Sequence, residues 1–70
     1  MAKLKELRLR ARISAEELGR LANVSGKTVK RAEEGLPVQE LKAVAIVEAL
    51  GQALGRDLKI EDIDDLRIYS

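Results

Sequence analysis

The sequence predicts an all-α protein, a compact bundle of four to five short helices. Apolar side chains recur three and four positions apart along most of the chain, and no segment alternates apolar and polar side chains as a half-buried strand would. Two serines also stand where a helix-capping residue is expected, each directly before an apolar-periodic segment. With 70 residues and no cysteine, the chain is expected to form one small domain without disulfide bonds.

The first helix is predicted over about residues 2–11, because Leu4, Leu7 and Ala11 lie on one helical face. The whole chain, residues 1–70, is expected to be a single domain. Its core is placed within residues 3–54, and residues 55–70 are expected to form a short C-terminal segment.

The second helix begins after Ser14 and ends near Ala22. Ser14 is the predicted N-cap, and Glu17 stands three residues later, which is the spacing of a capping box. Ile13 and Leu18 occupy the two positions of a hydrophobic staple around the same helix start.

A sharp turn at Asn23 is predicted to join the second helix to the third. Asparagine tolerates the left-handed backbone conformation better than any residue except glycine. Ser25 is the predicted N-cap of the third helix, which runs to about Glu34 and stops at Gly35. The second and third helices therefore form a helix-turn-helix.

The fourth helix is predicted from near Val38 to Leu50, or as far as Leu54, and a last short helix around Glu61–Leu66. Residues 43–47, "AVAIV", are apolar on every side of the fourth helix, which predicts burial on two faces. One interpretation is a homodimer, in which a second copy covers one of these faces; the other is a helix central to a five-helix bundle. The predicted dimer interface consists of Ile46, Val47, Leu50 and Leu54, with Leu66, Ile68 and Tyr69 as further candidates.

The string "GKT" at residues 26–28 resembles the end of a phosphate-binding loop, but the rest of that motif is missing. The first glycine of the motif would fall at Leu21, and the preceding "SAEELGRLA" does not have the pattern of a strand. The third helix instead carries Lys27, Lys30 and Arg31 at spacings of three and four on its exposed face. A helix with such a face, held by a partner helix, can enter the major groove of DNA.

The charge distribution agrees with a polyanionic partner for the first half of the chain. Residues 1–35 carry nine basic and five acidic side chains, a net charge of +4, whereas residues 36–70 carry four basic and seven acidic ones, a net charge of −3. Ordinary scatter of surface charge is the alternative explanation.

Composition argues against several classes of protein. The chain has no histidine and no cysteine, so it lacks the usual zinc ligands and a thiol nucleophile, and we expect neither a metal, a cofactor nor enzymatic activity. Tyr69 is its only aromatic residue, too few for a platform that stacks single-stranded bases. No apolar run approaches membrane-spanning length, so we expect no membrane association and a cytoplasmic protein.

The segment "LRLRARISAEELGRLANVSGKTVKRAEEG" resembles the lambda-repressor-like helix-turn-helix family, also called the Cro-type or XRE family. The matching strings are "ISAEELG", "ANVS" and "TVKRAEEG", and the resemblance covers about residues 4–50. It implies a DNA-binding regulator whose third helix, about residues 25–34, lies in the major groove.

Carried over by position, the resemblance assigns roles to ten residues. It implies a structural ion pair between Arg8 and Glu33. Contacts to DNA bases are implied for Gly26, Lys27, Lys30 and Arg31. Contacts to the DNA backbone are implied for Ser25, Thr28, Gln39 and Lys42.

Three residues depart from the family pattern. Ala15 replaces a glutamine that contacts DNA at the start of the second helix, Gly19 replaces a small alanine, and Asn23 replaces the turn glycine. The leading hypothesis is a small transcriptional regulator, either a repressor or an activator, that binds double-stranded DNA as a homodimer on a two-fold operator. The alternative is a protein-interaction module or antitoxin on the same fold, with a partner bound through the fourth helix and the C-terminal tail.

Overall fold

The computed structural model describes residues 3–69, which contain four α-helices and one 3-10 turn. The all-α class predicted from the sequence is therefore confirmed. The predicted start of the first helix at residue 2 lies outside the described residues. In chain order, the elements are α1 (Leu4–Arg10), α2 (Ala15–Ala22), α3 (Gly26–Glu33), α4 (Glu40–Leu54) and the 3-10 turn Ile60–Asp62.

The start of α2 has the predicted cap, with one difference in its hydrogen bonds. Ser14 Oγ accepts a hydrogen bond from the backbone N–H of Glu17, at 3.0 Å. The Glu17 carboxylate does not return a bond to the backbone of Ser14; it pairs with Arg20, one helical turn further along. One half of the capping box therefore forms, and the other half is replaced by a surface ion pair.

The turn between α2 and α3 is tight and uses the left-handed conformation that the sequence predicted. Asn23 has φ 60° and ψ 39°, and Ser25 Oγ accepts the backbone N–H of Thr28 at 3.1 Å to cap α3. At Gly19, a Cβ atom would lie 2.8 Å from the carbonyl oxygen of Val24 and 3.0 Å from the nitrogen of Gly26. Glycine at this position therefore lets the backbone of α2 touch the backbone of the turn.

Helix α4 lies at the centre of the core, so little of the predicted dimer interface is exposed in the single chain. Ile46 and Leu50 have no exposed surface within the single chain, Val47 is 2% exposed, and Leu54 packs against the same core. The other helices cover Ile46, Val47 and Leu50 within one chain, whereas Leu54 keeps part of its surface exposed. This burial agrees with the second of the two interpretations, a central helix, and the homodimer stays a prediction.

The C-terminal segment also belongs to the core, which extends past residue 54. Leu58 and Ile63 are buried in the same apolar cluster as the helices. The short helix predicted at Glu61–Leu66 is wrong in type and extent, since only the 3-10 turn Ile60–Asp62 forms. Asp65 lies instead against α1, where its Oδ1 accepts the backbone N–H of Leu4 at 3.0 Å.

An isolated parallel bridge joins this segment to the loop before α4. The Val38 N–H donates to the carbonyl oxygen of Arg67 and the Tyr69 N–H donates to that of Val38, both at 3.0 Å. Val38, predicted as the start of the fourth helix, is therefore extended, and α4 begins two residues later.

Within residues 3–69, no helix has both the length and the apolar character needed to cross a membrane.

The close contact at Gly19 predicts that Gly19→Ala destabilises the fold. Alanine gains about 1 kcal/mol in helix propensity, but its Cβ must push against backbone atoms, and such overpacking costs about 1–3 kcal/mol. We expect a lower free energy of unfolding in urea. Gln52→Ala, at an exposed position of α4, is the control and should change that free energy by less than about 0.5 kcal/mol. A Gly19→Ala variant more stable than the parent would contradict this account.

Candidate nucleic-acid interface

Helix α3 presents three cations to solvent and two small apolar side chains to the core. Val29 and Ala32 have no exposed surface and fix the helix against the rest of the bundle. Lys27, Lys30 and Arg31 lie on the opposite, exposed side. The sequence pattern of α3 thus gives one rigid cationic face, as expected for a helix that enters a groove.

An ion pair between Arg8 and Glu33 ties α3 to α1. Arg8 donates to the Glu33 carboxylate through Nε and, at 3.2 Å, through Nη2, while its Nη1 donates to the carbonyl oxygen of Ile13 at 2.9 Å. The two side chains are only 12% and 8% exposed. The guanidinium therefore holds α1, the residue before the α2 cap and α3 in one fixed arrangement.

The first turn of α3 is packed against the first turn of α2. Ser25 Oγ and Thr28 Oγ1 lie 2.9 Å apart and are hydrogen-bonded to each other. A Cβ at Gly26 would lie 3.2 Å from both Cα and Cγ of Glu16. The packing of α2 on α3 therefore favours a small residue at position 26, independently of any approach to DNA.

Glu16 faces the cationic surface of α3 and was missed by the sequence analysis. Its Oε2 lies 3.3 Å from Nζ of Lys30, and both side chains are largely exposed. A backbone hydrogen bond at residue 16 and the neighbouring Lys30 ammonium hold the pKa of the Glu16 carboxyl below its ordinary value. Lys30 is thus partly neutralised, which sets it apart from Lys27 and Arg31; neither of these forms an ion pair within residues 3–69.

A shallow groove of about 160 Å³ runs between the exposed side of α3 and the start of α4. Both of its cations, Arg31 and Lys42, are without an ion-pair partner within residues 3–69, and none of its lining residues is acidic. The lining residues are Thr28, Arg31, Pro37, Val38, Gln39, Lys42 and Tyr69. Arg31 thus lies in the same groove as three of the four residues predicted to contact the DNA backbone, Thr28, Gln39 and Lys42. The other predicted contact residues lie outside the groove: Ser25, Gly26, Lys27 and Lys30.

Two further observations complete the geometry of this face. The N-cap of α4, Gln39, makes no side-chain hydrogen bond to the helix, so its side chain is available to other partners. Ala15, at the position where the resemblance leads one to expect a glutamine, is only 4% exposed. Ala15 packs into the core, so the residue at the start of α2 that lies beside the exposed face of α3 is Glu16.

The comparisons with known proteins agree with this geometry. A family model described as a helix-turn-helix domain matches residues 2–64. The chain belongs to this helix-turn-helix family. The match covers all four helices and most of the C-terminal segment, and it is consistent with a lambda-repressor-like helix-turn-helix. Searches of curated proteins and of solved structures found no match to the helix-turn-helix domain described here.

The Arg8–Glu33 pair predicts that Glu33→Ala strongly destabilises the helix-turn-helix domain. The variant leaves a nearly buried guanidinium without its carboxylate, which typically costs about 3 kcal/mol. Glu17→Ala is a matched control, because it removes the carboxylate of an ion pair whose side chains are 76% and 38% exposed. That change should cost less than about 1 kcal/mol. Urea unfolding followed by circular dichroism compares the free energies of unfolding of the two variants. If both variants lose the same free energy, the Arg8–Glu33 pair stabilises the fold no more than an exposed ion pair does.

Proposed function

We propose that this domain is a transcriptional regulator that binds double-stranded DNA, with α3 in the major groove. The observation that carries the proposal is the position of Arg31. It lies on the exposed cationic face of α3 and also borders the groove that contains Lys42. One side chain thus connects a surface suited to base edges with a surface suited to phosphates.

In this arrangement, base contacts are assigned to Gly26, Lys27, Lys30 and Arg31. Arg31 and Lys27 have cationic groups without an ion-pair partner among the described residues, so they can engage DNA without first breaking an internal interaction. Lys30 must exchange Glu16 for a DNA acceptor. We therefore expect Lys30 to contribute less than Arg31 to affinity.

Contacts to the DNA backbone are assigned to Ser25, Thr28, Gln39 and Lys42. Thr28, Gln39 and Lys42 line the same groove as Arg31, which supports their shared assignment to one stretch of phosphates. The Ser25 hydroxyl caps α3 and is bonded to Thr28, so a phosphate contact there would be an addition to its structural role.

The proposal concerns one chain on one half of a DNA site. A homodimer acting as a repressor on a two-fold operator would need a surface other than the apolar side of α4, because Ile46, Val47 and Leu50 are buried in the single chain. A protein partner likewise cannot bind to the apolar side of α4, because these residues are buried. The most exposed large apolar side chain among the described residues, Leu41 in the first turn of α4 at 84%, still supports the protein-interaction alternative.

The assigned cations predict a strong dependence of DNA affinity on salt. On a duplex of arbitrary sequence, where Arg31 and Lys27 find no matching bases, these two cations lie near phosphates together with Lys42. Two to three phosphates neutralised in this way would give a slope of log K against log salt of about −2 to −3. Fluorescence anisotropy with a labelled duplex of arbitrary sequence measures this slope. The absence of salt-dependent binding would refute DNA binding and favour the protein-interaction alternative.

Replacing Arg31 and Lys42 should separate base contact from backbone contact. An arginine bound to both acceptors of a guanine contributes about 1–3 kcal/mol of discrimination, so Arg31→Ala should lose affinity mainly for a selected operator. Lys42→Ala should weaken all duplexes about equally and reduce the salt slope by about one unit.

Arg56→Ala is the matched control for these two variants. Arg56 follows the far end of α4, whose last residue, Leu54, lies about 18 Å from Lys42 along the helix at 1.5 Å per residue, in a groove that also holds Glu48 and Asp57. Its removal changes the net charge equally and should leave binding unchanged. If Arg31→Ala weakens the operator and a scrambled duplex to the same extent, Arg31 does not contact a base.

A further inference from the structure

The position of Tyr69 adds a residue to the proposed DNA surface. The sequence placed Tyr69 with a possible dimer contact, but the structure places it on the rim of the groove between α3 and α4, beside Arg31 and Lys42. Its side chain is 57% exposed. No other described residue from the C-terminal segment lines this groove.

Hydrogen bonds hold the backbone at Tyr69 against the rest of the fold. Its own N–H donates to the carbonyl oxygen of Val38, and the Val38 N–H is bonded to Arg67, both at 3.0 Å. Ile68, between them, packs against the core. Further back, Asp65 is bonded to the N–H of Leu4 and Ile63 is buried. The backbone therefore places Tyr69 at one wall of the groove.

The charges of the groove define its ligand as an anion. It combines the polar side chains of Thr28 and Gln39 with two cations that form no ion pair among residues 3–69, and none of these lining residues is acidic. Two other grooves on the described surface contain carboxylates beside their cations, Glu48 and Asp57 in one and Glu33 and Glu34 in the other. Only the groove at Tyr69, of these three, presents positive charge without a compensating negative one.

We propose that Tyr69 is a DNA-backbone contact, its phenolic hydroxyl donating a hydrogen bond to a phosphate oxygen held by Lys42, while Arg31 on the other side of the groove reaches the bases. This inference rests on the proposed DNA binding and assigns the C-terminal segment to the same surface. Tyrosine hydroxyls are common donors to DNA phosphates. Because the phenol is uncharged, it releases no counterion, so it adds affinity for every sequence without changing the salt dependence.

Tyr69→Phe tests the hydroxyl alone, because the ring that packs at the groove remains. We expect affinity for an operator and for an arbitrary duplex to fall by the same factor, about three- to tenfold for a solvent-exposed bond to a charged acceptor. The slope of log K against log salt should stay at the parent value. Lys42→Ala provides the contrast, since it should reduce the slope by about one unit.

The composition of the chain supplies an independent measurement. Tyr69 is the only aromatic residue, so all tyrosine emission of the intact chain comes from this site. Titration with a short duplex should change that emission, and the change should disappear at high salt together with binding. The control is a titration with inorganic phosphate at the same phosphate concentration. It should leave the emission unchanged, because a single phosphate lacks the additional contacts that a duplex makes with the protein.

Each outcome decides the proposal. Unchanged affinity of Tyr69→Phe, or constant tyrosine emission while anisotropy reports a bound duplex, would remove Tyr69 from the interface and leave DNA binding by α3 intact. An equal emission change with inorganic phosphate would overturn the DNA contact in favour of a small-anion site. Absence of any salt-dependent duplex binding by the parent chain would instead refute the proposed function itself.

Discussion

The position of α3 depends on how closely the backbone of α2 approaches the turn that follows it. At Gly19, the carbonyl oxygen of Val24 occupies space that a Cβ atom would need. This contact fixes where the turn leaves α2, and Asn23 then reverses the chain with a left-handed conformation that costs it little. The cationic face of α3 is consequently set by backbone geometry, and side-chain flexibility affects only how far each cation reaches.

Local chemistry made the helices predictable from the sequence. Ser14 and Ser25 cap their helices, and Asn23 and Gly35 take positive φ as their residue types suggest, because each of these preferences acts within a few residues. The exposed cations of α3 followed from helical periodicity in the same way. The central position of α4 stayed open, because an apolar helix is compatible both with a core and with an interface.

Long-range contacts explain what the sequence could not predict. Asp65 bonds to Leu4 across 61 positions, and Val38 pairs with Ile68. Neither contact leaves a periodic pattern or a cap signal, so the sequence predicts a short helix at residues 61–66 and gives Tyr69 as a candidate dimer contact. The ion pair between Lys30 and Glu16 could not be predicted from the sequence for the same reason, since the two residues lie on different helices.

The parallel bridge at Val38 has a consequence for strand register. Successive residues of an extended segment point to opposite sides, so Ile68 packs against the core only while Tyr69 faces the groove. A slip of one residue would exchange these two environments, placing a phenol against the core and an isoleucine beside Arg31. The apolar preference of Ile68 thus determines the orientation of its polar neighbour, and the length of the segment between Ile63 and Ile68 determines which side chain completes the groove.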